Sequence, residues 1–192
     1  MSAIFAFSLR YSWVMSLLRQ PKPTSAYLRH WLFAPGSLTE RLRQHGQVAV
    51  KILHQGSQGL WPDELFDLGQ SNAHTREVFL LLNGRPIVWA RSATLHTAIH
   101  GPWKAMTHLG TRPLAELLFQ DRAVLRSPLQ AHALARHGEA QRKMRDAWAQ
   151  YHSNTTENPM PRWGRSSVFW RHGQPLRVFE AFAPWVQTLD CA

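Results

Sequence analysis

"REVFLLLNGRPIVWARS", residues 76–92, is the stretch whose reading decides the fold. Asn83-Gly84 at its centre favours a two-residue type I′ turn, because both central positions of that turn need positive φ. Apolar residues flank the turn on both sides, which predicts a hairpin with a buried face. In the simplest register Leu82 faces Arg85, Leu80 faces Ile87, Val78 faces Trp89 and Arg76 faces Arg91. Pro86 then falls in a non-hydrogen-bonded pair with Leu81, where its missing N–H costs the ladder nothing. Period two puts both arginines on the face of the apolar set. Like charges directly opposite one another destabilise a sheet, and neither arm offers an acid on that face. The pair therefore predicts an anionic ligand, since guanidinium groups hold carboxylates through two parallel hydrogen bonds.

Further along, "GRSSVFWRHGQPLRVFEAFAP", residues 164–184, reads as a second hairpin turning at His172-Gly173. This register sets Arg165 opposite Glu180, on the face shared by Leu176, Val178 and Phe182. A carboxyl there is pushed up in pKa by desolvation and down by the guanidinium. Opposed influences of this kind mark working acids and bases, and structural ion pairs too. Glu180 is thus a candidate acid or base, with a satisfied core pair as the alternative.

The remaining chain fills in around these hairpins. "SAYLRHWLFAPGSLTERLRQHG", residues 25–46, predicts two short helices, with Tyr27, Leu28, Trp31 and Leu32 on one stripe and a Ser37/Glu40 capping box opening the second. "VAVKILHQG", residues 48–56, reads as a strand, and the Gly-, Pro- and Asp-rich passage from Gly56 to Asn72 as loop. "GPWKAMTHLGTRPLAELLF", residues 101–119, gives short helical pieces around Gly110 and Pro113. Residues 130–151 read as one polar helix, and "HSNTTENPMP", 152–161, as an exposed linker. Because the strands come in hairpins and not in βαβ crossovers, the class is α+β with an antiparallel sheet.

Composition narrows the function. A chain of 192 residues with 44% hydrophobic content and nine Trp can bury a single core. Its net charge of +10 suits an anionic partner. The one cysteine, Cys191, excludes an internal disulfide framework and a thiolate metal cluster, and suits the cytoplasm. The opening "MSAIFAFSLRYSWVMSLL" is interrupted by Arg10 and lacks a cleavage pattern, so it predicts neither a leader nor an integral membrane segment. Residues 1–24 read as an extension before a domain spanning 25–192. His96 and His100 have helical metal-pair spacing but lack the Glu of HExxH and a third ligand, so no metal site is expected. No GxGxxG, Walker A or GxSxG pattern occurs. Arg136, Arg142, Lys143 and Arg145 stand without an RNP-like aromatic pattern, which reads as a solvated face and not a nucleic-acid surface. With no apolar stripe left over, a monomer is expected.

With these residues laid out, the chain resembles the bacterial chorismate pyruvate-lyase family. The similarity is carried by "HWLFAPGSLTERL" (30–42), "REVFLLLNGRPIVWARS" (76–92), "LGTRPLAELLF" (109–119), "WGRSS" (163–167) and "PLRVFEAFAP" (175–184). The resemblance implies a single α+β domain with a six-stranded antiparallel sheet and helical flaps over a buried site. It implies cleavage of chorismate to 4-hydroxybenzoate and pyruvate, the first committed step of ubiquinone biosynthesis, with no metal or organic cofactor. It also implies that Arg76 and Arg91 hold carboxylate, that the backbone near Leu114 assists, and that Glu180 is the catalytic acid. Leu38 stands where the family often has a flap Met, and a segment around 130–160 is extra. Lids over an apolar pocket imply that product release limits turnover. The readings set against it are a non-enzymatic sensor of small carboxylates with the same broad fold, and a basic RNA-binding module.

Overall fold

Two turns of one geometry organise the sheet. In the computed structural model, which describes residues 23, 25–134, 139–151 and 160–189, Asn83 and Gly84 have φ of 50° and 80°, and His172 and Gly173 have 48° and 75°. Both are type I′ signatures, whose twist matches that of the flanking strands. In chain order the elements are α1 (Ala26–Phe33), α2 (Leu38–Arg43), β1 (Val48–Ser57), α3 (Pro62–Leu68), β2 (Ala73–Leu82), β3 (Arg85–Leu95), α4 (His96–Ile99), a 3₁₀ turn (Lys104–His108), α5 (Ala115–Gln120), β4 (Leu125–Arg126), β5 (Gln130–Ala133), α6 (Glu139–Tyr151), β6 (Trp163–Arg171), β7 (Gln174–Phe182) and a closing 3₁₀ turn (Pro184–Thr188). The expected extension over 1–24 lies, apart from residue 23, outside the described residues. So do 152–159 of the expected linker, and Cys191.

The sheet is antiparallel and runs β1-β2-β3-β7-β6-β4, with β5 also paired to β6. It therefore has seven strands where six were expected, but six positions across, the last shared by the short β4 and β5. The second hairpin keeps its expected register, including Arg165 opposite Glu180.

The first hairpin does not. Leu82 pairs with Arg85 and Leu81 with Pro86, but Leu80 then pairs with Val88, leaving Ile87 as an extra residue. Beyond this bulge Glu77 faces Arg91 and Arg76 faces Ser92. One added residue moves every following side chain on that strand to the other face, so Arg76 and Arg91 do not oppose each other. The bulge has a use: Ile87 O accepts from Ala183 N at 2.8 Å and Pro86 O from Trp185 Nε1 at 2.9 Å, which ties the end of β7 to the turn.

Helices cover both faces. On the front, Leu28, Trp31 and Leu32 of α1 and Leu38 and Leu42 of α2 pack against Val78, Leu80, Ala90 and Phe182. Ser25 and Ser37 cap these helices, their Oγ atoms accepting from Leu28 N (3.3 Å) and Glu40 N (3.1 Å). On the back, Trp61, Phe79, Trp89 and Phe179 pack with Met144 and Trp148 of α6.

Two expectations are corrected here. The passage read as loop contains α3, signalled by Pro62 at its start, Asp63 and Glu64 in the first turn, and Gly69 at φ 73° beyond its end. The helix read over 130–151 is the strand β5 followed by the shorter α6, and Met144 and Trp148 make one of its faces part of the core. No helix among the described residues is long and apolar enough to cross a membrane.

Candidate active site

A cavity partly open to solvent lies between the front of the sheet and the helical cover. Its floor is Val78, Ala90, Ser92 and Val178, one residue type or another from β2, β3 and β7 at alternate positions. Leu38 and Thr39 at the start of α2 and Leu114, Leu118 and Phe119 around α5 form the cover. Polar groups converge at one wall, where Arg126, Arg165 and Glu180 line the space.

Glu180 is held by Arg165, whose Nε donates to Oε2 at 2.5 Å. The same guanidinium donates through Nη1 to Trp31 O (2.9 Å) and Ala34 O (3.2 Å), so it also latches the end of α1 to the sheet. Arg165 is 1% exposed and the Glu180 side chain 14%. One oxygen of the carboxylate thus belongs to the latch while the group still faces the cavity.

Arg76 shares the front face with Val78 and Leu80 and pairs with Ser92. It is 2% exposed, and its Nη2 donates to Gly110 O (2.9 Å) and Arg112 O (3.2 Å) in the loop leading to Leu114. Its Nε is buried without a partner. Burial lowers its pKa, and among the described residues no carboxylate pairs with it to offset that cost. The two carbonyls fix the plane of this buried cation and leave one donor, Nε, unspent.

Arg91 is on the back face with every N–H engaged. Its Nε and Nη2 grip Glu64 at 2.7 and 3.0 Å. Nη1 donates to Glu77 and Gln58, both at 2.5 Å, and Nη2 also to Gly59 O at 2.8 Å. The guanidinium stacks over Trp61 at 4.3 Å. Burial depresses its pKa, but the hydrogen bonds and charges of Glu64 and Glu77 outweigh this and raise it. Arg91 is thus a strut between α3 and the sheet, and the expected Arg76/Arg91 clamp is not formed, because the Ile87 bulge separates the two faces.

Of the residues singled out from sequence, Leu38, Leu114 and Glu180 line the cavity and Arg76 flanks it. Sequence reasoning missed Arg126. It sits on the two-residue β4, where Nε donates to Ser167 Oγ (3.0 Å) and Nη1 to Gly36 O (3.2 Å). Its guanidinium faces the rings of Phe119 and Phe169, at 5.8 and 5.0 Å, and the two rings pack edge to face with centroids 5.9 Å apart. Desolvation lowers its pKa to about 10, against the pull of Glu180 and with the push of Arg165. A strand this short leaves no periodicity to read, so no local signal marked the residue.

The family profile described as chorismate lyase matches residues 13–188, almost the whole chain. The chain belongs to the chorismate lyase family. A probable chorismate pyruvate-lyase of Bordetella avium is 40% identical over 171 residues, covering 88% of this chain and 82% of that one. One from Albidiferax ferrireducens is 39% identical over 166 residues, covering 82% and 83%. Among solved structures, PhnF from Mycobacterium smegmatis superposes with a TM-score of 0.50 at 9% identity, covering 79% of this chain and 65% of that chain. That last likeness is one of fold alone. In this lyase-family chain the cavity is thus apolar along its length, with an unpaired arginine beside one part and an arginine-held glutamate at another.

Proposed function

We propose that the protein cleaves chorismate to 4-hydroxybenzoate and pyruvate in this cavity, the step that commits chorismate to ubiquinone biosynthesis. The observation that carries the reading is Arg76, a buried cation lacking a carboxylate partner, on the face where Glu180 waits. The ring carboxylate of chorismate supplies that partner, at Arg76 Nε and beside the backbone at Leu114. The ring then lies on Val78, Ala90 and Val178 under Leu38 and Leu114, and its far end reaches Glu180.

The chemistry is an elimination. Glu180 takes the hydrogen from the ring carbon that carries the hydroxyl, the electrons of that C–H bond form the last ring double bond, and the ether C–O bond breaks. The leaving enolpyruvate gains a proton at its methylene carbon and becomes pyruvate. Because Glu180 starts as the carboxylate partner of Arg165, it acts first as base and then as the acid that returns the proton. Aromatisation drives the reaction, and orientation of the substrate beneath the helical cover supplies much of the remaining acceleration. Every atom and electron pair is accounted for by substrate and protein, so the scheme calls for no cofactor.

The test is steady-state turnover of chorismate by wild type and Glu180→Gln. Loss of a positioned acid–base group should lower kcat by roughly 10²- to 10⁴-fold, with 4-hydroxybenzoate still bound. A Glu180→Gln variant as fast as wild type would remove Glu180 from the chemistry.

A further inference from the structure

Chorismate carries a second carboxylate, on the enolpyruvyl ether, and the clamp expected for it from sequence does not exist, because Arg91 is turned to the other face. The cavity offers another cation. Arg126 lines the same wall as Glu180 and Arg165, and among the described residues it forms no ion pair, only hydrogen bonds to a hydroxyl and a carbonyl. Both contacts orient the group: Ser167 on β6 draws it in over the sheet, and Gly36 O fixes it beneath the loop between α1 and α2.

Its position across the sheet fits the substrate. Arg76 on β2 and Arg126 on β4 are separated by β3, β7 and β6, four steps or roughly 19 Å between backbones at ~4.8 Å per step. Two long side chains reaching inward leave a gap of small-molecule length, and Glu180 on β7 stands between them. We propose that Arg126 binds the carboxylate of the enolpyruvyl group and so selects chorismate over ring carboxylates that lack it. This inference rests on the lyase reading above.

The selection has a consequence for the catalytic cycle. Breaking the ether frees the group that Arg126 holds, so pyruvate separates from the aromatic product while Arg76 still holds the ring carboxylate. The Phe119 and Phe169 rings, packed edge to face along one flank of the guanidinium, shield that flank from solvent and strengthen the contact.

The experiment compares chorismate KM with the Kd of 4-hydroxybenzoate in wild type, Arg126→Gln and Arg126→Lys. 4-Hydroxybenzoate has only the ring carboxylate and therefore reports an intact site. We expect Arg126→Gln to raise chorismate KM about 10- to 100-fold, as loss of a charge-assisted pair does, with the product Kd unchanged and Arg126→Lys recovering part of the loss. Equal movement of both constants, or of neither, in a wild-type background that turns over chorismate would overturn the Arg126 assignment alone. A wild-type protein that neither cleaves chorismate nor binds 4-hydroxybenzoate would overturn the lyase reading and this inference with it.

Discussion

Removing Arg76 and removing Arg91 should move stability in opposite directions, although both are buried arginines of one hairpin. Arg91 neutralises Glu64 and Glu77, and Arg91→Met would strip Glu77 of its cation and leave buried Glu64 with only Trp61 N and the distant Arg177 Nη1 at 4.0 Å, at a cost of about 3–5 kcal/mol. Arg76 answers no acid, so Arg76→Met should leave urea-unfolding stability unchanged or raise it by ~1 kcal/mol while weakening 4-hydroxybenzoate binding about 10-fold or more. Equal destabilisation by the two variants would contradict the division of faces. His132 gives a pH signature on the back of the sheet: its Nε2 lies 2.8 Å from Ser166 Oγ, and burial, helped by the charge of Arg177 and opposed by Asp63, lowers its pKa to about 4. The unfolded chain therefore binds a proton near pH 6.5 that the folded chain refuses until about pH 4. Stability is complete above that window and falls as pH drops through it, by up to ~3 kcal/mol; His132→Asn should flatten the slope between pH 7 and 4.5 in urea titrations. At this scale Arg76 and Glu180 were singled out from their hairpins, and Leu38 and Leu114 through the family resemblance, and the structure puts three of them on the cavity lining and Arg76 beside it. The direction of Arg91 was not legible, because nothing in "RPIVWAR" announces a bulge at Ile87.

Elements position Glu180 through close approach of backbones. Gly164 on β6 is one such point: a Cβ there would come within 2.8 Å of Phe179 Cζ and 2.9 Å of Glu180 O. Gly164→Ala should therefore cost roughly 1–3 kcal/mol by forced repacking and displace Glu180, so that kcat falls more than 4-hydroxybenzoate affinity; an alanine variant with wild-type kcat and stability would contradict that packing. The second hairpin was readable in full because its turn is type I′ and no bulge follows. Strand β4 and helix α3 were not read, for different reasons. Leu125–Arg126 is too short for any period, whereas "WPDELFDLG" does carry a start and a stop signal, hidden in a passage whose glycines and prolines suggested only loop. The boundary between β5 and α6 was lost because Ala- and Gln-rich sequence favours helix by propensity, while pairing with Ser166, Arg165, Gly164 and Trp163 of β6 decides otherwise.

The whole molecule is a sheet fastened to α3 by ion pairs on its back and covered by two short helices on its front. Arg91 to Glu64, and Arg177 to Asp63 and Asp67 at 2.5 and 2.7 Å, fasten α3 to the back. The front cover of α1 and α2 is short, capped by two serines and latched through Arg165 to the Glu180 carboxylate. A cover of this kind over an apolar cavity predicts slow release of the aromatic product. Rapid mixing at saturating chorismate should then show a burst of 4-hydroxybenzoate before the steady state, and a linear trace from the first turnover would place the slow step in the chemistry. Fold class and strand pairing around the two turns were visible from sequence at this scale, as was the cover, through its family resemblance. The assignment of charges to faces turns on the Ile87 bulge, which no residue pattern in the hairpin signals. The central claim is conversion of chorismate on the front face, and its most direct test is to incubate purified protein with chorismate and quantify both products by chromatography. Equimolar 4-hydroxybenzoate and pyruvate, formed in proportion to enzyme and abolished by competing 4-hydroxybenzoate, is the predicted result; unchanged chorismate after prolonged incubation with folded protein would contradict the account.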